Sequence, residues 1–155
     1  MTETLKNIKH IHDKRSVNEV NKNIKKNGVF LFYYSPMCGF CNMMMPEIEK
    51  LDKKLSQYRI MKPLYKVNAS YMHDLHTKDV IINGVPLLII VDKNGYKEQT
   101  YNGNRTASDL IKFLLKHKVI ESKKGGGNKR KSLRKKRKTL RNRRKSYNKT
   151  RRKLH

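Results

Sequence analysis

The two cysteines of the chain, Cys38 and Cys41, flank a dipeptide in the run Cys38-Gly39-Phe40-Cys41. In a chain without an export signal, a pair at this spacing reads as redox or metal chemistry rather than a structural staple. The run follows an apolar segment, Val29–Tyr34, that Ser35-Pro36 breaks, and it opens a helical pattern. Cys38 therefore falls at or before a first helical turn, where unpaired backbone N–H groups and the helix dipole favour an anion. Such a position lowers a thiol pKa and raises the thiolate fraction at neutral pH. Cys41, one turn on, faces the same side and sits deeper, so it can attack a mixed disulfide formed by Cys38. The alternative is a metal: His73 and His76 are spaced to supply the other two of four zinc ligands.

The elements that must hold this pair can be read around it. Ser16 and Glu19 have capping-box spacing, and Val17, Val20 and Ile24 recur helically until Asn27-Gly28. Val29–Tyr34 is β-branched and aromatic without helical period, which predicts a buried central strand with Tyr33 and Tyr34 as core. From Gly39, the residues Met43, Met44, Ile48, Leu51 and Leu55 form an apolar stripe, with Asp52 assigned to the opposite, polar side. Pro46 lies inside this helix and removes one backbone donor. Residues 59–68 predict another strand, interrupted by Pro63; 71–79 a short helix; 87–92 a third buried strand. Asn94-Gly95 predicts a hairpin into residues 96–101, and Thr106 or Ser108 caps a last helix bearing Leu110, Ile111, Leu114 and Leu115. A short strand around Ile8 and Ile11 completes the order β, α, β, α, β, α, β, β, α. This is an α/β pattern: a largely parallel central sheet covered on both faces, with an antiparallel hairpin at its edge.

Composition divides the chain in two. Of its 155 residues, 38 are Lys or Arg and 12 are Asp or Glu. Residues 123–155 hold 18 of the bases and no acid, leaving 20 bases and 12 acids in residues 1–122. The expected organisation is a folded domain over 1–121 and a Gly-hinged polybasic tail over 122–155. The longest strongly apolar run, Val85–Val91, is far below the roughly 20 residues of a membrane-spanning helix. The N-terminal residues lack the apolar core of a secretory signal, which points to cytoplasm, nucleus or virion.

Several motifs together carry a resemblance. The stretch from Phe32 to Cys41, Met45-Pro46-Glu47 eight residues after Cys38, Gly84-Val85-Pro86, and Asn102-Gly103-Asn104-Arg105 occur in a fixed order. They resemble the thioredoxin superfamily, and more narrowly the thioredoxin-like domains of protein disulfide isomerases, over residues 28–115. The resemblance implies a thioredoxin-like fold and a thiol–disulfide oxidoreductase acting on disulfide-containing client proteins. It implies no cofactor beyond the redox-active Cys38–Cys41 disulfide, with Cys38 attacking and Cys41 resolving. It makes Pro86 the family's cis-proline and Val85 a backbone contact for an extended client. Lys66 aligns with a lysine near the family's active site, and Arg105 with an arginine that stabilises the buried thiolate. The stretch departs from the family at Met37, where a Trp is usual, and at Phe32, where a buried carboxylate is usual. The dipeptide Gly39-Phe40 is neither of the common ones; such residues tune a potential that spans about −270 to −120 mV among family members. Reductase and isomerase directions are thus both open. A lack of export signal leans toward reductase.

Beside these readings stand plainer ones. His10 and His12 read as surface residues, His73 and His76 as solvated side chains of a surface helix, and Met43–Met45 as adaptable core packing. In the tail, Gly125–Gly127 reads as a flexible hinge. Beyond it a seven-residue pattern places Leu133, Leu140, Tyr147 and Leu154 in register. One apolar residue per heptad cannot bury a helix against so many like charges, so disorder is expected unless a polyanion neutralises it. Residues 129–153 are accordingly the candidate contact for nucleic acid, for another polyanion, or for an anionic membrane surface, and such runs also serve as nuclear targeting signals. Long basic runs behind a glycine hinge are similar in style to those on proteins of large DNA viruses. Two competing functions follow: a redox-inert thioredoxin-fold binding module, and a nucleic-acid-associated protein.

Overall fold

The computed structural model describes residues 5–124. Residues 125–155, on which the hinge and heptad readings fall, lie outside the described residues. Strand β1 (Ile8–Ile11) is followed by helix α1 (Lys14–Asn27), β2 (Val29–Tyr34) and helix α2 (Gly39–Leu55). Then come β3 (Tyr58–Ile60), β4 (Leu64–Asn68), a 3-10 helix (Ala69–Asp74), β5 (Leu87–Val91) and β6 (Lys97–Thr100). Helix α3 (Ala107–Lys116) and β7 (Ile120–Ser122) close the order.

Five strands form the central sheet in the order β1-β4-β2-β5-β6, and β3 pairs with β7 in a separate ladder. Strands β1, β4 and β2 run parallel, β5 is antiparallel to β2, and β6 is antiparallel to β5. The reversal therefore lies in the middle of the sheet and not only at its edge. Asn68 ends β4 beside Tyr34, and Leu87 begins β5 beside Tyr33. The chain thus re-enters the sheet at the end it left, and only an antiparallel strand can follow.

Strand β2 lacks hydrophobic alternation because both of its faces are covered. Phe30 and Phe32 pack with Ile48, Leu51, Leu110 and Leu114 from α2 and α3. Leu31 and Tyr33 pack on the other face with Val17, Val20 and Ile24 of α1. At its start, Gly28 has φ +76°, and a Cβ there would stand 2.3 Å from the Val91 carbonyl oxygen.

Some expectations are corrected. Helix α1 begins earlier: Asp13 is its N-cap, accepting from Ser16 N, and Ser16 completes the box from inside. Residues 59–68 are two strands in different sheets, because the interruption before Pro63 lets β3 leave the central sheet for β7. The helix expected at 71–79 is the 3-10 helix Ala69–Asp74, started by Asn68, whose side chain accepts from Ser70 N. Thr106 caps α3 by accepting from Asp109 N. On α2, Met44 is buried but Met43 is 76% exposed, outside the stripe.

Asp52 reverses its assignment. It is 5% exposed, and its carboxylate accepts from the backbone N–H groups of Lys6, Asn7 and Ile8 at 2.9, 2.7 and 2.8 Å. Those donors precede or open β1 and have no strand partner there, so a buried acid satisfies what an apolar residue could not.

Candidate active site

The site forms where β2 hands over to α2. Ser35 ends the strand, and its carbonyl accepts from Cys38 N at 3.1 Å while its hydroxyl accepts from Met37 N at 3.3 Å. These bonds fold the chain so that Cys38 is the N-cap of α2. Its sulfur accepts from Cys41 N at 3.1 Å, satisfying one of the free donors of the first turn. Cys38 and Cys41 are joined as a disulfide with a Cα–Cα distance of 5.2 Å. The two are unequal: Cys38 is half-buried, whereas Cys41 is 1% exposed.

Opposite the pair, the Val85–Pro86 peptide is cis, and the Val85 carbonyl oxygen lies 3.4 Å from Cys38 Sγ. Gly39 has open space where a Cβ would stand. Met37 is 94% and Phe40 65% exposed, so the motif carries a large apolar side chain in solvent on each side of Cys38 in sequence. Arg105 is exposed, and its guanidinium carbon lies 5.8 Å over the Phe40 ring.

Phe32 is buried in the core beside α2 and stands opposite Lys66 across β2 and β4. Lys66 is half-buried, with its Nζ 4.5 Å from the centre of the Tyr34 ring. Burial pushes its pKa below the usual lysine range, with the Glu49 charge opposing. Tyr34 in turn pairs through its hydroxyl with His10 Nε2. Burial, then the charges of Lys66 and His12, holds His10 below its ordinary value. His10, Lys66, Glu49 and Met45 line a groove of about 640 Å³ beside β1.

Sequence reasoning placed Lys66 and Arg105 singly but missed what each one touches. No spacing rule links His10 to Tyr34 or Arg105 to Phe40, since each pair meets only through the fold. The exposure of Met43 had a faint signal: it is three residues from Phe40 and shares its side of the helix. Among the described residues, no group of three or more His, Cys, Asp or Glu could hold a metal, and the structure does not gather His73 and His76 with the cysteines.

A mixed sheet between helices, with a CxxC pair capping the helix after its central strand, defines the class. The chain belongs to the thioredoxin family, whose sequence profile matches residues 7–116. It is similar to the probable protein disulfide-isomerase A4 of Caenorhabditis elegans, 35% identical over 96 residues, covering 62% of this chain and 15% of the relative. It is also similar to protein disulfide-isomerase A4 of Homo sapiens, 33% identical over 95 residues, 61% of this chain and 14% of the relative. The chain thus matches only a small part of these relatives' length. Among solved structures, thioredoxin NaTrxh from Nicotiana alata shares the fold with a TM-score of 0.57 at 16% identity, covering 76% of this chain and 97% of that one.

Proposed function

We propose that the chain is a thiol–disulfide oxidoreductase that exchanges electrons with protein disulfides through Cys38 and Cys41. One observation carries this reading: the two sulfurs are within reach of each other, yet one is accessible and the other enclosed. In the reduced protein, the Cys41 N–H and the N-terminus of α2 favour negative charge on Cys38. The Cys38 thiolate attacks one sulfur of a client disulfide; that bond breaks, and the other client sulfur leaves as a thiolate. Cys41, deprotonated, then attacks Cys38 Sγ and displaces the first client sulfur. Two electrons pass to the client, which ends as a dithiol, and the chain ends as the disulfide seen here. The reverse sequence oxidises a client. Val85 offers backbone groups to an extended client chain beside Cys38, with Pro86 shaping the groove around it. With Phe32 in place of an acid, the proton of Cys41 passes to water or to Lys66.

The test is insulin reduction driven by dithiothreitol. Wild type accelerates precipitation of the insulin B chain, and Cys38→Ser does not; equal rates would overturn the reading. Cys41→Ser should trap a client as a mixed disulfide visible by mass spectrometry.

The 18 bases of residues 123–155 support a second role, binding of a polyanion through 129–153. Each phosphate contact releases counterions, so binding should be independent of nucleic-acid sequence and steeply salt-dependent. Deleting residues 123–155 should abolish binding to DNA and leave disulfide exchange intact.

A further inference from the structure

Among the described residues five large apolar side chains are exposed, and three of them, Met37, Phe40 and Met43, lie within five positions of Cys38. Isolated exposed apolar residues need no explanation, but a cluster around a reactive atom does. Phe40 and Met43 are three residues apart on α2 and share a face, and Met37 stands on the other side of Cys38 in sequence. The same helix turns Cys41 and Met44 inward, so the outward residues are not there for want of a core. Methionine side chains are flexible and polarisable, and mould to apolar groups of many shapes.

Arg105 adds a charge to this collar. Its guanidinium rests over Phe40, and among the described residues no carboxylate pairs with it. The nearby acids are engaged elsewhere: Glu47 accepts from Lys50 Nζ and Ala107 N, and Asp109 from Lys112 Nζ and Thr106 Oγ1. The collar thus presents an apolar surface and an unneutralised cation to whatever approaches Cys38.

We propose that this collar selects clients: it takes extended segments of disulfide-bonded proteins in which a bulky apolar residue and a carboxylate neighbour the attacked cysteine. The proposal rests on the disulfide exchange argued above and names its substrate class. The apolar residue packs on Met37 and Met43, and the carboxylate reaches Arg105.

The experiment uses the full chain, reduced, and three disulfide-linked peptide dimers that carry leucine and glutamate, leucine and glutamine, or serine and glutamate beside the cysteine. Exchange is followed by loss of dimer. Wild type should reduce the leucine–glutamate dimer about fivefold faster than either of the others, one partly buried side chain or one exposed ion pair being worth roughly that factor. Met43→Gln should lose the leucine preference and keep the glutamate preference; Arg105→Gln should do the reverse. High salt should suppress only the glutamate preference. Equal wild-type rates on all three dimers, or a variant that loses both preferences or neither, would overturn the proposal while exchange itself stands. Failure to reduce these dimers and a small aromatic disulfide alike would remove the exchange reading and this inference with it.

Discussion

Helix α2 treats its two ends in opposite ways. Its first turns expose Phe40 and Met43 to water, and its later turns bury the carboxylate of Asp52. Hydrophobicity alone would have arranged these residues the other way round. The difference is one of partners. Asp52 meets three backbone donors that would otherwise be orphaned, so its burial is satisfied at every oxygen. Phe40 and Met43 have no core facing them and stay in solvent. Polarity inside this protein marks structure, and apolarity outside marks a place for something else.

That contrast can be broken in several ways. Cys38→Ser should abolish exchange in the insulin assay while leaving the unfolding midpoint in urea close to that of the reduced wild type, since the half-buried sulfur lies at the exposed end. Asp52→Ala should cost about 3 kcal/mol by the same unfolding measurement, because three buried donors lose their acceptor. Asp52→Asn, which keeps one acceptor oxygen, should cost less. The adjacent methionines give an internal control: Met44→Ala should cost about 2–3 kcal/mol, and Met43→Gln less than about 0.5 kcal/mol. If the two proved alike, the division between the ends of the helix would be wrong.

His10 supplies the subtler comparison. It lies at the surface, where partial desolvation and then the charges of Lys66 and His12, rather than an acidic partner, act on it. Its pKa in the folded chain is therefore lower than in the unfolded one, so the unfolded chain binds the proton more readily. Stability should rise with pH up to the ordinary histidine value near 6.5 and fall as pH drops below it. Urea midpoints between pH 5 and 7 should show this slope, and His10→Gln should flatten it.

The fold was legible in the sequence where one signal decided each element. The unbroken apolar run of β2 announced a strand covered on both sides, and Asn94-Gly95 announced the turn into β6. Legibility failed where a long-range partner decided. Nothing local in residues 59–68 says that β3 will pair with β7, which was not expected at all. Asp52 looked like a surface acid because its three donors lie more than forty residues away. The cysteine pair could be read from spacing alone, whereas Arg105 over Phe40 needed the turn before α3 and the tip of α2 to be brought together.

One hydrogen atom has consequences far from where it sits. At Gly28 the chain passes so close to Val91 that no larger substituent fits, which pins Val29 to Val91 at the near end of the β2–β5 ladder. Four residues on, the same ladder sets Tyr33 against Leu87, just before the two chains diverge toward Cys38 and Val85. A slip of one residue would shift one strand past the other by about 3.3 Å and turn its side chains to the wrong face. The alignment of the Cys38 sulfur with the Val85 carbonyl is thus gauged at the opposite end of the sheet, by the smallest side chain available.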